Sequence, residues 1–156
     1  MGRYYHTDNG REGKFMFGVQ SSTDPQYMGM TEQEQCSIDY YADKDNEPKI
    51  KNMLDKQYDI LGVPEDKRIY YTDAEWKDYD KFEKKYLYPK VFVSVKEDDK
   101  VEMDKHKGET RWSDDRQGYV SFEIKGMALV LARIRLGLSI LSDIKDTGEC
   151  WLNAEL

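Results

Sequence analysis

Alternating apolar and polar positions near the start of the chain predict an N-terminal β-hairpin. Phe15, Phe17 and Val19 share one face of a strand over residues 14–20. The residues just before this strand are rich in Gly, Asn and Asp, which favour a tight turn. Residues 3–6 are therefore expected to pair back across the turn and complete the hairpin.

Four further segments have the composition or the alternation of strands. Residues 91–95 and 118–124 are the clearest, because both are rich in β-branched and aromatic side chains. Residues 37–41 form a brief candidate strand. Residues 150–156 are predicted to form a terminal strand in which Trp151 faces the core.

The segment between the two clearest strands, residues 96–117, is long for a bare loop inside a compact domain. Its large apolar residues are Val101, Met103 and Trp112. We therefore predict a β-meander in which Val101 and Met103 mark a middle strand.

Apolar residues spaced three and four apart predict three helices. Pro48 in the first turn and Gly62 just past the end delimit the first helix. The second helix is predicted to begin at the cap residue Thr72 and to be stopped by Pro89. The third helix, residues 126–145, has a broad apolar surface, which implies burial on more than one side, within the domain or against a second copy.

These elements predict one α+β domain over residues 1–156. Its antiparallel β-sheet comprises the N-terminal hairpin, the central meander and the C-terminal strand. The sheet is expected to pack on the long apolar C-terminal helix, with two more polar helices beside it.

The charge balance narrows the classes of partner. The chain has 156 residues, with 31 acidic against 24 basic side chains and a formal net charge of -7. Affinity for duplex phosphates comes from Lys and Arg, so direct nucleic-acid binding is not expected. A surface rich in carboxylates instead favours a basic protein partner.

The sequence predicts a cytoplasmic protein. Arg133 and Arg135 interrupt its most apolar stretch, which therefore does not resemble a membrane span. The N-terminus becomes polar before the apolar core of a signal peptide can form. Cys36 and Cys150 are a single pair far apart in sequence, so both are predicted to be reduced thiols, with Cys150 in the core.

Motifs for catalysis and for metal binding are missing from the sequence. The acidic run at residues 43–47 fails the EF-hand pattern, because Pro48 and Leu54 replace the required Gly and Glu. His6 and His106 have no ligand partners at zinc spacing, and His106, among charged neighbours, is predicted to be exposed. No phosphate-binding loop, dinucleotide fingerprint or nucleophile elbow is found. We therefore expect no metal and no cofactor, and the sequence favours a non-catalytic protein over an enzyme.

The leading hypothesis is an acidic protein that binds a basic partner through carboxylates interleaved with aromatic rings. The most specific version of this hypothesis is an inhibitor that imitates nucleic acid and occupies the nucleic-acid channel of a nucleic-acid-binding protein. The candidate partner-binding residues are Asp43, Asp45, Glu47, Asp98, Asp99, Trp112, Asp114 and Asp115.

The alternative hypothesis is a small enzyme or ligand-sensing domain with a pocket for an anionic ligand on the N-terminal hairpin. A histidine among basic and aromatic residues suits anion binding or acid–base work. The residues of this candidate pocket are Arg3, Tyr5, His6, Arg11 and Lys14. A third possibility is a structural subunit that forms a homodimer along the helix of residues 126–145.

Overall fold

The structure is a computed structural model, and it describes residues 5–7, 19–21, 23–33 and 38–154. Its strands are β1 (Tyr5–Thr7), β2 (Thr31–Gln33), β3 (Ile38–Asp43), β4 (Phe92–Lys96), β5 (Arg111–Trp112), β6 (Tyr119–Glu123) and β7 (Glu149–Ala154). Its α-helices are α1 (Asp24–Tyr27), α2 (Glu47–Leu61), α3 (Lys77–Phe82), α4 (Tyr88–Val91), α5 (Lys100–Lys105) and α6 (Met127–Thr147). A 3-10 turn (Glu65–Lys67) follows α2, and a π-helical turn (Glu83–Leu87) joins α3 to α4.

Four antiparallel strands form the large sheet, in the order β1-β7-β3-β2. Tyr40 lies opposite Leu152 and Ala42 opposite Cys150, and all four are buried. Because successive residues of a strand point to opposite faces, Trp151 faces outward, with 39% of its surface exposed. The prediction that Trp151 faces the core is therefore wrong, whereas the burial of Cys150 is confirmed.

Helix α6 lies at the centre of the molecule, packed against α2 and the inner face of the large sheet. The predicted C-terminal helix is thus confirmed, and its broad apolar surface is buried within one chain. A Cβ built at Gly137 would lie 2.8 Å from Met28 Cε, just after α1, and 3.4 Å from Leu54 Cδ1 of α2. A larger residue at position 137 would therefore require at least the Met28 side chain to move.

The two arginines within apolar α6 are paired with buried carboxylates. Arg135 binds Glu83 through two contacts, Nε to Oε2 at 2.8 Å and Nη2 to Oε1 at 2.5 Å. Arg133 Nη2 lies 3.2 Å from Asp24 Oδ1. These pairs fasten α6 to α1 and to the π-helical turn, because leaving either buried carboxylate without its partner is costly.

Three antiparallel strands form the small sheet, in the order β4-β6-β5. The predicted middle strand of the meander is wrong, because Lys100–Lys105 is helix α5 and Val101 is 69% exposed. The Asp99 side chain caps α5 by accepting a hydrogen bond from Glu102 N at 3.1 Å. Met103 covers the small core of this sheet, which consists of Val95, Val120 and Phe122.

The predicted second helix differs from the observed one at both ends. It begins at Lys77 rather than Thr72, and Lys77 N donates to Asp73 Oδ1 at 3.2 Å. Trp76 just before it has a φ of 60°. Pro89 does not stop the helical path, because it lies in the first turn of α4, where no N–H donor is needed.

The antiparallel α+β class predicted from the sequence is confirmed. Helix α2 and the strands near residues 37–41, 91–95 and 118–124 are also confirmed. Strand β1 pairs with β7, and most of its predicted hairpin partner lies outside the described residues. None of the helices in the described part of the chain combines the length and the apolar composition that crossing a membrane requires.

Candidate acidic interaction surface

The outer face of the large sheet carries carboxylates and aromatic rings side by side. The register of β3 and β7 places Asp39 opposite Asn153, Tyr41 opposite Trp151 and Asp43 opposite Glu149. Paired residues of antiparallel strands point to the same face. We call this surface the acidic face and define it by Asp39, Tyr41, Asp43, Glu149, Trp151 and Asn153. Neither β3 nor β7 contains Lys or Arg.

Tyr41 and Trp151 form the centre of the acidic face. Their ring centroids are 4.7 Å apart, with an angle of 51° between the ring planes. The Tyr41 hydroxyl can donate to Asp43 Oδ2 at 3.3 Å or to Glu149 Oε2 at 3.4 Å. Partial desolvation and the negative charges of these two carboxylates raise the pKa of Tyr41. The phenol therefore stays protonated and available as a donor.

The two carboxylates beside Tyr41 have no cationic partner within the described ranges of the chain. Neither Asp43 nor Glu149 forms an ion pair with any described residue. Asp43 is fixed in place by local bonds, because its Oδ1 accepts from Asp45 N at 2.9 Å and its own N–H donates to Asn46 Oδ1 at 3.0 Å. Asp45 lies exposed in the turn beyond it. The end of this face is therefore both negative and ordered.

Glu47, the third predicted carboxylate of this acidic run, is already paired within the chain. It accepts from Tyr71 Oη at 2.9 Å and lies 3.1 Å from Lys51 Nζ. The hydrogen bond from Tyr71, followed by that from Lys51, lowers the pKa of Glu47. Its charge stabilises the first turn of α2 rather than the acidic face.

The other predicted carboxylates lie at one end of the small sheet. The turn after β4 meets the turn between β5 and β6 there, and Glu97 N donates to Gly118 O at 2.9 Å. We call this region, residues 96–99 and 113–119, the small-sheet end. The structure thus divides the predicted partner-binding residues between two sheets.

Asp114 has a structural role at the small-sheet end. Its side chain is only 7% exposed and accepts hydrogen bonds from the hydroxyls of Ser94 at 2.9 Å and Ser121 at 3.0 Å. The main-chain N–H of Arg116 donates to it at 2.8 Å. This N–H, followed by the side-chain donors, lowers the pKa of Asp114 to about 2. Asp114 therefore has little freedom to contact a partner.

Two arginines of the chain itself pair with carboxylates of the small-sheet end. Arg111 Nη2 lies 2.9 Å from Glu97 Oε1, and Arg116 Nη2 lies 3.4 Å from Asp114 Oδ2. The Arg116 guanidinium also lies 4.5 Å from the ring centroid of Tyr119. These two ion pairs make the small-sheet end less negative than was predicted, although Asp98 and Asp115 remain exposed there.

The remaining predicted residues of this region have different environments. Asp98 and Asp115 are exposed, and Asp99 caps α5. Trp112 is half-buried, with its ring 5.4 Å from that of Phe92 at the edge of the main core. Trp112 therefore stabilises the junction between the sheet and the core and is not part of an exposed aromatic surface.

Of the six members of the acidic face, the predicted partner-binding residues include Asp43 but not Asp39, Tyr41, Glu149, Trp151 or Asn153. The signal was present, since two buried residues, Cys150 and Leu152, flank Trp151. The residues of the alternative pocket are not tested. Arg3, Arg11 and Lys14 lie outside the described residues, and Tyr5 and His6 are described only as backbone of β1.

His106 belongs to a partly enclosed site and is not exposed as predicted. Its side chain is 16% exposed, and its ring stacks on Phe122 with centroids 5.0 Å apart. His106 Nδ1 lies 2.9 Å from Glu109 Oε2. The pair lines a cavity of about 530 Å³, together with Val93, Ile124 and other residues. No group of three or more His, Cys, Asp or Glu side chains in the described part of the chain is arranged to hold a metal ion.

Comparison with known proteins gives no relative for this chain. No family model matches the sequence. No curated protein and no solved structure is significantly similar to it.

Proposed function

We propose that this chain is a non-catalytic cytoplasmic protein that binds a basic protein partner through the acidic face of the large sheet. The observation that carries the proposal is that Asp43 and Glu149, beside the exposed ring of Trp151, form no ion pair with any described residue. Complementary charge steers such a partner, and aromatic area contributes contact energy once the partner is docked.

In its most specific version, the proposal is that the partner is a nucleic-acid-binding protein and that the acidic face imitates phosphates. Asp39 and Asp43 are four residues apart in β3, which is about 13 Å in a strand. B-DNA carries roughly eight charges over that length, whereas the face carries three carboxylates. The acidic face therefore supplies fewer than half of those charges, and exposed Asp45 in the adjoining turn would add one more.

The proposal is tested by capture of proteins from a host extract on the immobilised chain. The face variant, Asp43→Asn with Glu149→Gln, removes two charges while keeping an oxygen acceptor at each position. The matched control, Asp98→Asn with Asp115→Asn, removes two charges from the small-sheet end. A basic protein should bind the wild type and the control but not the face variant, and it should elute as salt rises through the physiological range.

Two outcomes of the capture experiment contradict the proposal. One is retention of the same proteins by the face variant, which would show that the acidic face is not the contact. The other is retention that does not respond to salt, because charge would then not drive the association. Addition of a DNA duplex to the captured complex tests the nucleic-acid-mimicking form, which requires the duplex to displace the chain.

The ligand-pocket hypothesis for Arg3, Tyr5, His6, Arg11 and Lys14 stays a prediction. If it holds, His6→Ala abolishes any ligand-induced rise in melting temperature or any turnover. An unchanged response in this variant would refute it.

A further inference from the structure

We propose that the acidic face binds an arginine side chain of the partner, in a site formed by Tyr41, Asp43, Glu149 and Trp151. This inference rests on the proposed function, because it names the side chain that the acidic face recognises. The site is called the arginine site below.

The chain itself repeatedly places a guanidinium against a tyrosine ring and a carboxylate. The three examples are Arg133 with Tyr27 and Asp24, Arg116 with Tyr119 and Asp114, and Arg68 with Tyr58 and Asp55. Each combines the attraction of a cation for an aromatic face with a charged hydrogen bond.

The Arg133 example shows this geometry most closely. Its guanidinium carbon lies 3.8 Å from the ring centroid of Tyr27. Its Nε and Nη2 atoms lie 3.3 and 3.2 Å from Asp24 Oδ1. Aromatic and carboxylate groups arranged around one position are thus sufficient to hold a guanidinium in this protein.

The arginine site has the same components but no cation among the described residues. Tyr41 and Trp151 supply the aromatic surface, and both Asp43 and Glu149 supply carboxylates. No described residue forms an ion pair or a cation–aromatic contact with any of these four residues. An arginine of another molecule can therefore supply the cation that the described part of the chain does not.

Two features of the site favour arginine over lysine. Asp43 and Glu149 are directly opposite each other in the β3–β7 ladder, where Cα atoms are about 5 Å apart. A planar guanidinium presents several N–H donors and can reach both carboxylates while stacking on a ring. A lysine ammonium is a compact, strongly hydrated charge that gains less from the aromatic surface.

The probes that test this inference are an oligo-arginine and an oligo-lysine peptide of equal length. Affinity is measured by titration, and the NMR signal of the Trp151 indole N–H reports whether the peptide reaches the site. Oligo-arginine should bind about fivefold more tightly than oligo-lysine, the difference expected from stacking at an exposed site. Trp151→Leu should abolish this preference while leaving the lysine affinity unchanged.

Tyr41→Phe is a second variant, which keeps the ring and removes the hydroxyl that holds the two carboxylates. It should retain most of the arginine preference, because the stacking surface remains. Asp98→Asn with Asp115→Asn is the matched control for net charge and should leave the preference unaltered. Circular dichroism of each variant verifies that the fold is retained.

The outcomes separate this inference from the proposed function. Equal affinity for the two peptides, with both lost in Asp43→Asn with Glu149→Gln, would overturn the arginine site and leave the acidic face as the docking surface. A preference that survives Trp151→Leu would likewise overturn it. Failure of both peptides to perturb Trp151 would overturn the arginine site and the proposed function together.

Discussion

The acidic face and the small-sheet end contain similar types of residue, but their carboxylates differ in how far they are ion-paired. Each places carboxylates beside aromatic rings on antiparallel strands. At the small-sheet end, Arg111 and Arg116 pair with Glu97 and Asp114. On the acidic face, neither Asp43 nor Glu149 pairs with a Lys or Arg that the structure describes.

This difference shows that a run of acidic residues in the sequence is a poor measure of available negative charge. The Asp114 carboxylate already accepts hydrogen bonds from four donor groups of the chain. Glu149 does not belong to an acidic run in the sequence. It lies directly opposite Asp43 in the sheet, however, so that two negative side chains come together. Asp43 and Glu149, which pair with no Lys or Arg of the described residues, are therefore more available for docking than Glu97 and Asp114, which are paired with arginines.

The largest expected effect is the loss of stability on removing Asp114. Asp114→Ala removes the acceptor of the hydrogen bonds from Ser94, Ser121 and Arg116, which should lower the free energy of unfolding by about 2 kcal/mol. Asp115→Ala, the exposed neighbour, should change it by less than about 0.5 kcal/mol. Chemical denaturation measures both, and equal effects would contradict the contrast between a structural and an exposed carboxylate.

The contribution of Asp114 should also depend on pH. Its folded-state pKa of about 2 lies below the ordinary value, so the stabilisation is complete above about pH 4 and is lost as the pH falls toward 2. The stability difference between the wild type and Asp114→Asn should shrink over this interval. Urea unfolding at a series of pH values measures the change, and a constant difference would contradict it.

Neutralising the acidic face should have little effect on stability. Asp43→Asn with Glu149→Gln keeps oxygen acceptors for the Tyr41 hydroxyl and breaks no ion pair with a described residue. We expect a change in the free energy of unfolding within about 0.5 kcal/mol. A larger loss in chemical denaturation would assign these residues a structural role like that of Asp114.

The smallest expected effect is a change in the titration of Tyr41. Both adjacent carboxylates contribute to its raised pKa, so the same double variant should lower that pKa toward the ordinary tyrosine value. Partial desolvation remains in the variant, and part of the shift should therefore remain. NMR titration of the Tyr41 ring tests this, and an unchanged pKa would show that the carboxylates do not act on the phenol.

The elements with strong local signals were predictable from the sequence. Helix α6 is defined by a long apolar periodicity that ends at Gly148, and β6 by alternating buried residues. The segment around Val101 is helical and not a strand, because the Asp99 side chain caps the N-terminus of helix α5. Trp151 was assigned to the wrong face because a one-residue shift in a strand reverses every side chain.

The amino-acid sequence by itself determined the α+β class, the central apolar helix and the excess of negative charge, because periodicity, capping and composition are local or additive properties. Only the tertiary structure decided where that charge is available. Strand register sets which carboxylates lie opposite each other, and folding brings Arg111 to Glu97 but no described Lys or Arg to Asp43 or Glu149. Glu149 thereby comes to lie beside Tyr41, although 108 positions separate them in the sequence.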